Sequence, residues 1–322
     1  MQPELDYLNL NKDQTVTCKE AFGSILLELG ERDNNIVVCE ADLMRASGTK
    51  AFCVQFPERH FNLGVAEQNC MAAAAGLALS GKKVFATTFA NFASKRACDQ
   101  VSIAIAYNKA NVKVCGTYAG LTSEKNGGTH ISVEDIAIMR AIPNMRVVEP
   151  ADPVEVKKIA KVLVEYDGPV YFRQPKMFYR NIFSEKYEFE FGKGKVVFPG
   201  NDITLIACGI MTGIAVQAAE EMQTKGLSVR VINMSSIKPI DEEIIITAAK
   251  ETKAIFTLEN HNIIGGLGSA VAEVLAEDKI TTYFKRLGIK DQFGQTAPLD
   301  WLLEKNGISK EKIIETIEYT KY

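Results

Sequence analysis

Histidine is scarce in this sequence, with 3 in 322 residues. So few imidazoles can build neither a histidine-rich metal site nor an acid–base network from this chain alone, and no metal ligands are expected in it. The 7 cysteines are odd in number, widely spaced and mostly set in apolar segments. None forms a C-x-x-C pair, so they read as reduced core residues. A surplus of one charge is missing too: 37 Lys and Arg face 40 Asp and Glu, a net charge of -3 that carries no polyanion-binding signal. Nucleic acid is not an expected partner. No apolar run reaches membrane-spanning length, and Met1-Gln2-Pro3-Glu4-Leu5-Asp6 lacks the basic and apolar regions of a signal peptide. A cytoplasmic protein without a membrane partner is expected. At 47% hydrophobic and 24% charged residues the composition is globular, and 322 residues suffice for two domains, each with its own core.

The most informative stretch runs from His60 to Phe92. After a short extended run at 61–65, small apolar residues continue to Leu79 and Gly81 closes the segment, which predicts a buried helix with a glycine stop. Glu67 falls in its first turn. The helix dipole favours a carboxylate there, whereas burial against an alanine-rich helix raises its pKa unless a partner compensates. Glu67 is therefore either a helix N-terminal acid or a working carboxylate. Phe89 and Phe92, three residues apart before a second helical pattern, fit a core as well as a cofactor contact.

The remaining chain alternates. Residues 1–13 are polar and predict an arm. Apolar spacing predicts a helix over 17–30 that Gly30 stops, followed by a buried strand at 36–41 that leads into Asp42 and a polar loop. Asp42 reads either as a loop cap or as a ligand contact, since open α/β sheets place ligands just after their strands. Strand-like runs at 84–88, 112–117, 145–148 and 169–173 are separated by helical patterns at 93–107, 133–141 and 153–164. Such alternation predicts a parallel sheet covered on both faces. A glycine-rich loop links 117 to 130 and ends Gly127-Gly128-Thr129-His130, where the histidine is a helix-entry residue or a catalytic one. Residues 175–200, punctuated by Pro199-Gly200, read as a boundary. A second, smaller α/β set follows, with strands at 203–207, 229–234 and 254–259 and helices at 211–225 and 241–250. Gly265-Gly266-Leu267-Gly268 follows a strand but lacks G-x-G-x-x-G spacing, so it reads as close packing rather than a dinucleotide site.

Gly64-Val65-Ala66-Glu67-Gln68-Asn69, followed by Phe89-Ala90-Asn91-Phe92 and Arg96-Ala97-Cys98-Asp99-Gln100, resembles the pyrimidine-binding domain of transketolase-like thiamine diphosphate enzymes. Ile237-Lys238-Pro239-Ile240-Asp241 and the stretch 259–269 resemble the C-terminal domain of the same family. The resemblance covers nearly the whole chain. It implies two doubly wound α/β domains: a pyrimidine-binding domain at 1–180, a linker at 181–200 and a transketolase C-terminal domain at 201–322. By residue, it implies that Glu67 hydrogen-bonds the aminopyrimidine ring and activates the cofactor, that Phe92 stacks on the pyrimidine with Phe89 beside it, and that Asp42 lies near the thiazolium ring across a subunit interface. His130 then contacts the substrate carbonyl, and Arg173 grips the substrate phosphate.

The family's N-terminal half, with its Gly-Asp-Gly motif for the magnesium-bridged diphosphate, has no counterpart here. The resemblance therefore implies the C-terminal subunit of a split transketolase. Such a subunit transfers a two-carbon ketol unit between sugar phosphates or related anionic sugars, with thiamine diphosphate and Mg2+ held mainly by an N-terminal partner chain in a heterotetramer. The β subunit of a 2-oxo-acid or acetoin dehydrogenase, or an enzyme like deoxyxylulose-phosphate synthase, shares the position of Glu67 and this domain order. Three substrate-side positions depart from the usual pattern: Tyr118 stands for a histidine, Asn126 for an aspartate and Cys18 for an arginine. These departures predict a ketose other than the standard pentose-phosphate pair.

Overall fold

A computed structural model describes residues 5–10 and 16–321. The expected N-terminal arm lies partly outside the described residues. Within it, Tyr7 donates its hydroxyl hydrogen to Val196 O at 2.7 Å, and Leu8 bridges Phe183.

Two sheets carry the chain. The first has seven strands in the order β10-β5-β6-β4-β3-β1-β2, built from β1 (Ile36–Glu40), β2 (His60–Asn62), β3 (Lys83–Phe89), β4 (Val112–Thr117), β5 (Arg146–Val148), β6 (Val170–Gln174) and β10 (Ser236–Lys238). All its neighbours are parallel except β10, which pairs antiparallel with β5. The second has five strands in the order β12-β11-β8-β9-β7, from β7 (Lys195–Phe198), β8 (Ile203–Ala207), β9 (Val229–Asn233), β11 (Ala254–Asn262) and β12 (Tyr283–Ile289). Only β7, which falls within the stretch expected to be a linker, runs antiparallel there. Every residue of β1, β4, β6 and β8 is buried, as strands covered on both faces by helices must be. The α/β architecture of two parallel-rich sheets is the one expected.

Local signals place the helices. Thr17 and Glu20 form a capping box on the helix Cys18–Arg32, and Asp152 and Asp241 cap Pro153–Glu165 and Glu242–Glu251. The stop expected at Gly30 does not occur. The helix runs on to Arg32, and Gly30 instead makes room for Phe52, whose Cε2 a Cβ would meet at 2.5 Å. The helix expected over 93–107 is two π-helical segments, Phe92–Arg96 and Gln100–Tyr107. A π turn carries one extra residue and re-aims the side chains on it, and it is common at functional sites.

The packing is shared between the halves. One apolar cluster joins Phe22, Phe85 and Phe172 around the first sheet to Leu205, Phe256 and Ile313 around the second. The parallel strands of the first sheet bring the residues after β1, β2, β3, β4 and β6 to a common edge.

Candidate active site

Glu67 opens the helix Glu67–Leu79, with Ala66 as an N-cap that offers no side-chain hydrogen bond. The residue is only 2% exposed. Among the described residues its side-chain donor is Arg96, whose Nη1 lies 3.3 and 3.2 Å from the two carboxylate oxygens. An ionised carboxylate with so little solvent needs such a partner. The same guanidinium stands 4.6 Å from the centroid of the Phe92 ring.

From Phe92 the aromatic wall continues. Its ring centroid lies 6.0 Å from that of Phe89 and 5.1 Å from that of His130, and Phe89 reaches Tyr118 at 5.1 Å and His130 at 5.9 Å. All four rings are partly accessible, so they line a cleft rather than fill a core. The β3 terminus supplies Phe89, the π turn Phe92, the residue after β4 Tyr118, and the glycine-rich loop His130. Thr129 Oγ1 lies 2.9 Å from His130 Nδ1, which leaves Nε2 for another partner. Asn91 Nδ2 donates to Thr129 O at 2.5 Å and ties the loop to the π turn.

Asp42 follows β1 in a left-handed conformation, φ 59, and its Oδ1 accepts from Asn62 Nδ2 at 3.1 Å. It is exposed on the same sheet edge, on the β1–β2 side of the ring cluster. Asn126 is exposed on the loop and donates to Ser123 Oγ at 3.2 Å. Cys18 is fully buried, and burial, with Asp152 and Glu155 nearby, pushes its thiol well up. It stands in the interior and not in the cleft.

Arg173 is not brought into the cleft. It was expected to grip a substrate anion, but its guanidinium is fully buried among fixed partners. Nε donates to Asp135 Oδ2 at 2.7 Å, Nη2 to Asp135 Oδ1, Ser132 O and Asn260 O, and Nη1 to Glu149 Oε1. Burial works against charge in this group, yet Arg173 keeps Asp135 below the usual carboxylate range, while burial still pushes Glu149 up. Besides Arg96, a cation that does reach the cleft rim is Lys176, just beyond β6. Its Nζ lies 3.0 Å from Glu124 Oε2 and 5.6 Å from the centroid of the Tyr118 ring. Glu124 also accepts from Leu299 N at 3.2 Å and sits at φ 46, ψ -106, a rare backbone state for a glutamate.

Sequence reasoning gave no role to Arg96 or Glu124. The spacing of Phe92 and Arg96, four residues apart, was the available signal for the first; Glu124 had none.

For a metal, the described residues offer one grouping of three potential ligands, Glu40, Cys53 and His60, with atoms within 4.8 Å of one another. Its carboxylate is already held by Thr49 and His60. A mixed thiol, imidazole and carboxylate set is unlike the oxygen ligands that Mg2+ takes. For an aminopyrimidine the fit is good: one buried carboxylate to face ring nitrogen and a stacking ring beside it.

Residues 14–181 match the family described as transketolase, pyrimidine binding domain, and residues 192–313 match transketolase, C-terminal domain. A putative transketolase C-terminal section of Methanocaldococcus jannaschii is 45% identical over 303 residues, 93% of this chain and 94% of that protein. A 6-deoxy-6-sulfo-D-fructose transketolase subunit of Clostridium sp. (strain MSTE9) is 43% identical over 296 residues, 92% of each. Among solved structures, a split gene transketolase described as an inactive beta4 tetramer superposes with a TM-score of 0.87 at 42% identity, over 94% of this chain and 97% of that one.

Proposed function

The chain belongs to the transketolase family, and from that premise we propose that it is the C-terminal subunit of a two-chain transketolase that moves a ketol unit between sugars. The buried carboxylate of Glu67 at the foot of an aromatic cleft carries this reading. Thiamine diphosphate, when bound, supplies the reactive carbon and the electron sink of ketol transfer. The chain's own residues do the rest of the work on this side of the site. Glu67 holds a proton against the aminopyrimidine ring nitrogen, Phe92 stacks on that ring and Phe89 backs it. His130, steadied at Nδ1 by Thr129, presents Nε2 to the substrate carbonyl and hydroxyl. Asp42 lies toward the thiazolium side, across a subunit interface. The N-terminal partner holds the diphosphate and Mg2+, and two copies of each chain form a cytoplasmic heterotetramer.

The substrate's charged end meets a sparse set of cations. Arg173 is locked inside, Tyr118 and Asn126 are neutral, and Lys176 is shared with Glu124. A phosphate dianion gains most from several charge-assisted donors, each worth roughly 1.5 to 3 kcal/mol. A modified, branched or sulfonated ketose fits this cleft better than the standard pair, in keeping with the sulfofructose transketolase subunit among the relatives. The test is kcat/KM of the complex with its N-terminal partner, cofactor and Mg2+ for xylulose 5-phosphate with ribose 5-phosphate against a panel of other ketoses. At least one alternative donor should outperform the standard pair. If none does, the substrate reading fails while the transketolase reading stands.

A further inference from the structure

We propose that Arg96 is a placeholder for the cofactor's aminopyrimidine: its guanidinium occupies the space between Glu67 and Phe92 in the free subunit and must swing out for loading. The inference rests on the reading of Glu67 and Phe92 as the ring's contacts.

The guanidinium shares the flat shape and the nitrogen edge of an aminopyrimidine, although it donates N–H to Glu67 where the ring nitrogen would accept a proton. It is planar, carries N–H donors on its edge and stacks on aromatic faces. Here one nitrogen, Nη1, meets both oxygens of Glu67 at 3.3 and 3.2 Å, and the plane's carbon stands 4.6 Å from the Phe92 centroid. The hydrogen-bonding edge and the stacking face of the cleft are thus taken by one cation.

The two partners differ in freedom. Glu67 is 2% exposed and fixed at the head of its helix, whereas the Arg96 side chain is 52% exposed and sits at the end of the π turn Phe92–Arg96. The carboxylate cannot leave, but the arginine can withdraw into water at little cost. Without it, the free subunit would hold an unpaired, nearly buried carboxylate. Arg96 therefore holds Glu67 in position until the ring arrives, and it competes with that ring. Arg96 is a positioning residue, not a catalytic one.

The experiment measures thiamine diphosphate uptake by the two-chain complex, as quenching of intrinsic fluorescence after mixing, together with melting of the cofactor-free chain. Arg96→Ala should load roughly three- to thirtyfold faster or more tightly, the range spanned by an exposed ion pair and a charged hydrogen bond. Arg96→Lys, which keeps the charge and loses the planar fork, should fall between. The cofactor-free Arg96→Ala chain should melt below wild type, and that loss should vanish when both variants carry Glu67→Gln. If the alanine variant does not fold, Arg96→Gln gives the same uptake comparison. Uptake by Arg96→Ala (or Arg96→Gln) that is unchanged or slower overturns the proposal. The underlying reading fails separately: Glu67→Gln should slow proton exchange at the thiazolium carbon by about two to four decades, and wild-type exchange in that variant would remove Glu67 from its role.

Discussion

A guanidinium taken fully out of water is stable only if its nitrogens find acceptors, and each nitrogen of Arg173 does so among Asp135, Glu149 and the carbonyls of Ser132 and Asn260. Truncating one member of such a pair leaves an uncompensated buried charge and costs about 3 to 5 kcal/mol. Arg173→Ala should accordingly lower the melting temperature of the chain sharply, because two interior carboxylates lose their counter-ion. Lys176→Ala should behave in the opposite way. Its side chain is 38% exposed, so the fold should be unaffected. The KM for anionic ketoses should rise roughly three- to tenfold, with turnover of an uncharged donor such as erythrulose retained. Thermal melts of the free chain and KM values of the complex separate the two. A normal melt for Arg173→Ala together with a raised KM would return Arg173 to the substrate.

At the scale of the element, β4 carries a cation where a strand interior normally has none. Lys113 is fully buried, and desolvation pushes its ammonium down to about 7 from 10.5. A neutral amine keeps two N–H donors, and these match the carbonyls of Tyr166 at 2.7 Å and Gly168 at 2.8 Å, at the turn that leads into β6. Between pH 7 and 10.5 the unfolded chain binds this proton and the folded chain releases it, so stability must rise with pH across that window. Wild type should gain on Lys113→Met by up to about 1.4 kcal/mol per pH unit from pH 7 to 9. Paired denaturant titrations at several pH values measure this, and a pH-independent difference would mean that Lys113 stays charged. The glycine run 265–268 is the other instructive element. Leu267 N and Gly268 N donate to the buried Glu259 carboxylate at 2.8 and 2.9 Å, and a Cβ on Gly266 would meet its Oε2 at 1.8 Å. The glycines admit an internal carboxylate to a helix N-terminus, which is the close packing their spacing suggested.

Across the whole molecule, the halves are interlocked. The C-terminal half lends β10 to the first sheet, and Lys238 at its end donates to Arg140 O and Ile142 O at 2.8 and 2.7 Å. Arg173 reaches across to Asn260 O at 3.0 Å, and Asn260 Oδ1 in turn accepts from Leu121 N at 2.9 Å in the glycine-rich loop. The cleft is therefore held by both halves, and on the proposed reading its residues serve the pyrimidine end of the cofactor and not the diphosphate. The purified chain should bind thiamine diphosphate weakly and turn over no ketose, and addition of the N-terminal partner should restore both. Calorimetry and a coupled assay check this, and turnover by the chain alone would refute the split arrangement.

The strand and helix alternation, the family motifs and the placement of Glu67 at a helix start were all legible in the sequence. Each depends on local spacing: period and stop residues for the elements, contiguous residue order for the motifs. Phe89, Phe92, Tyr118 and His130 were singled out by the family resemblance and not by spacing, which fitted a core or a helix entry as well; the parallel strands bring the four to one edge. What a charged side chain does there was not legible. Arg173, Lys176 and Arg96 are all cations near the ends of elements, and their sequence neighbourhoods do not tell them apart. Only the tertiary structure decided it, because a cation's role is set by which carboxylates reach it through space. Asp135 and Glu149 draw Arg173 inside, Glu124 keeps Lys176 at the rim, and Glu67 holds Arg96 over Phe92.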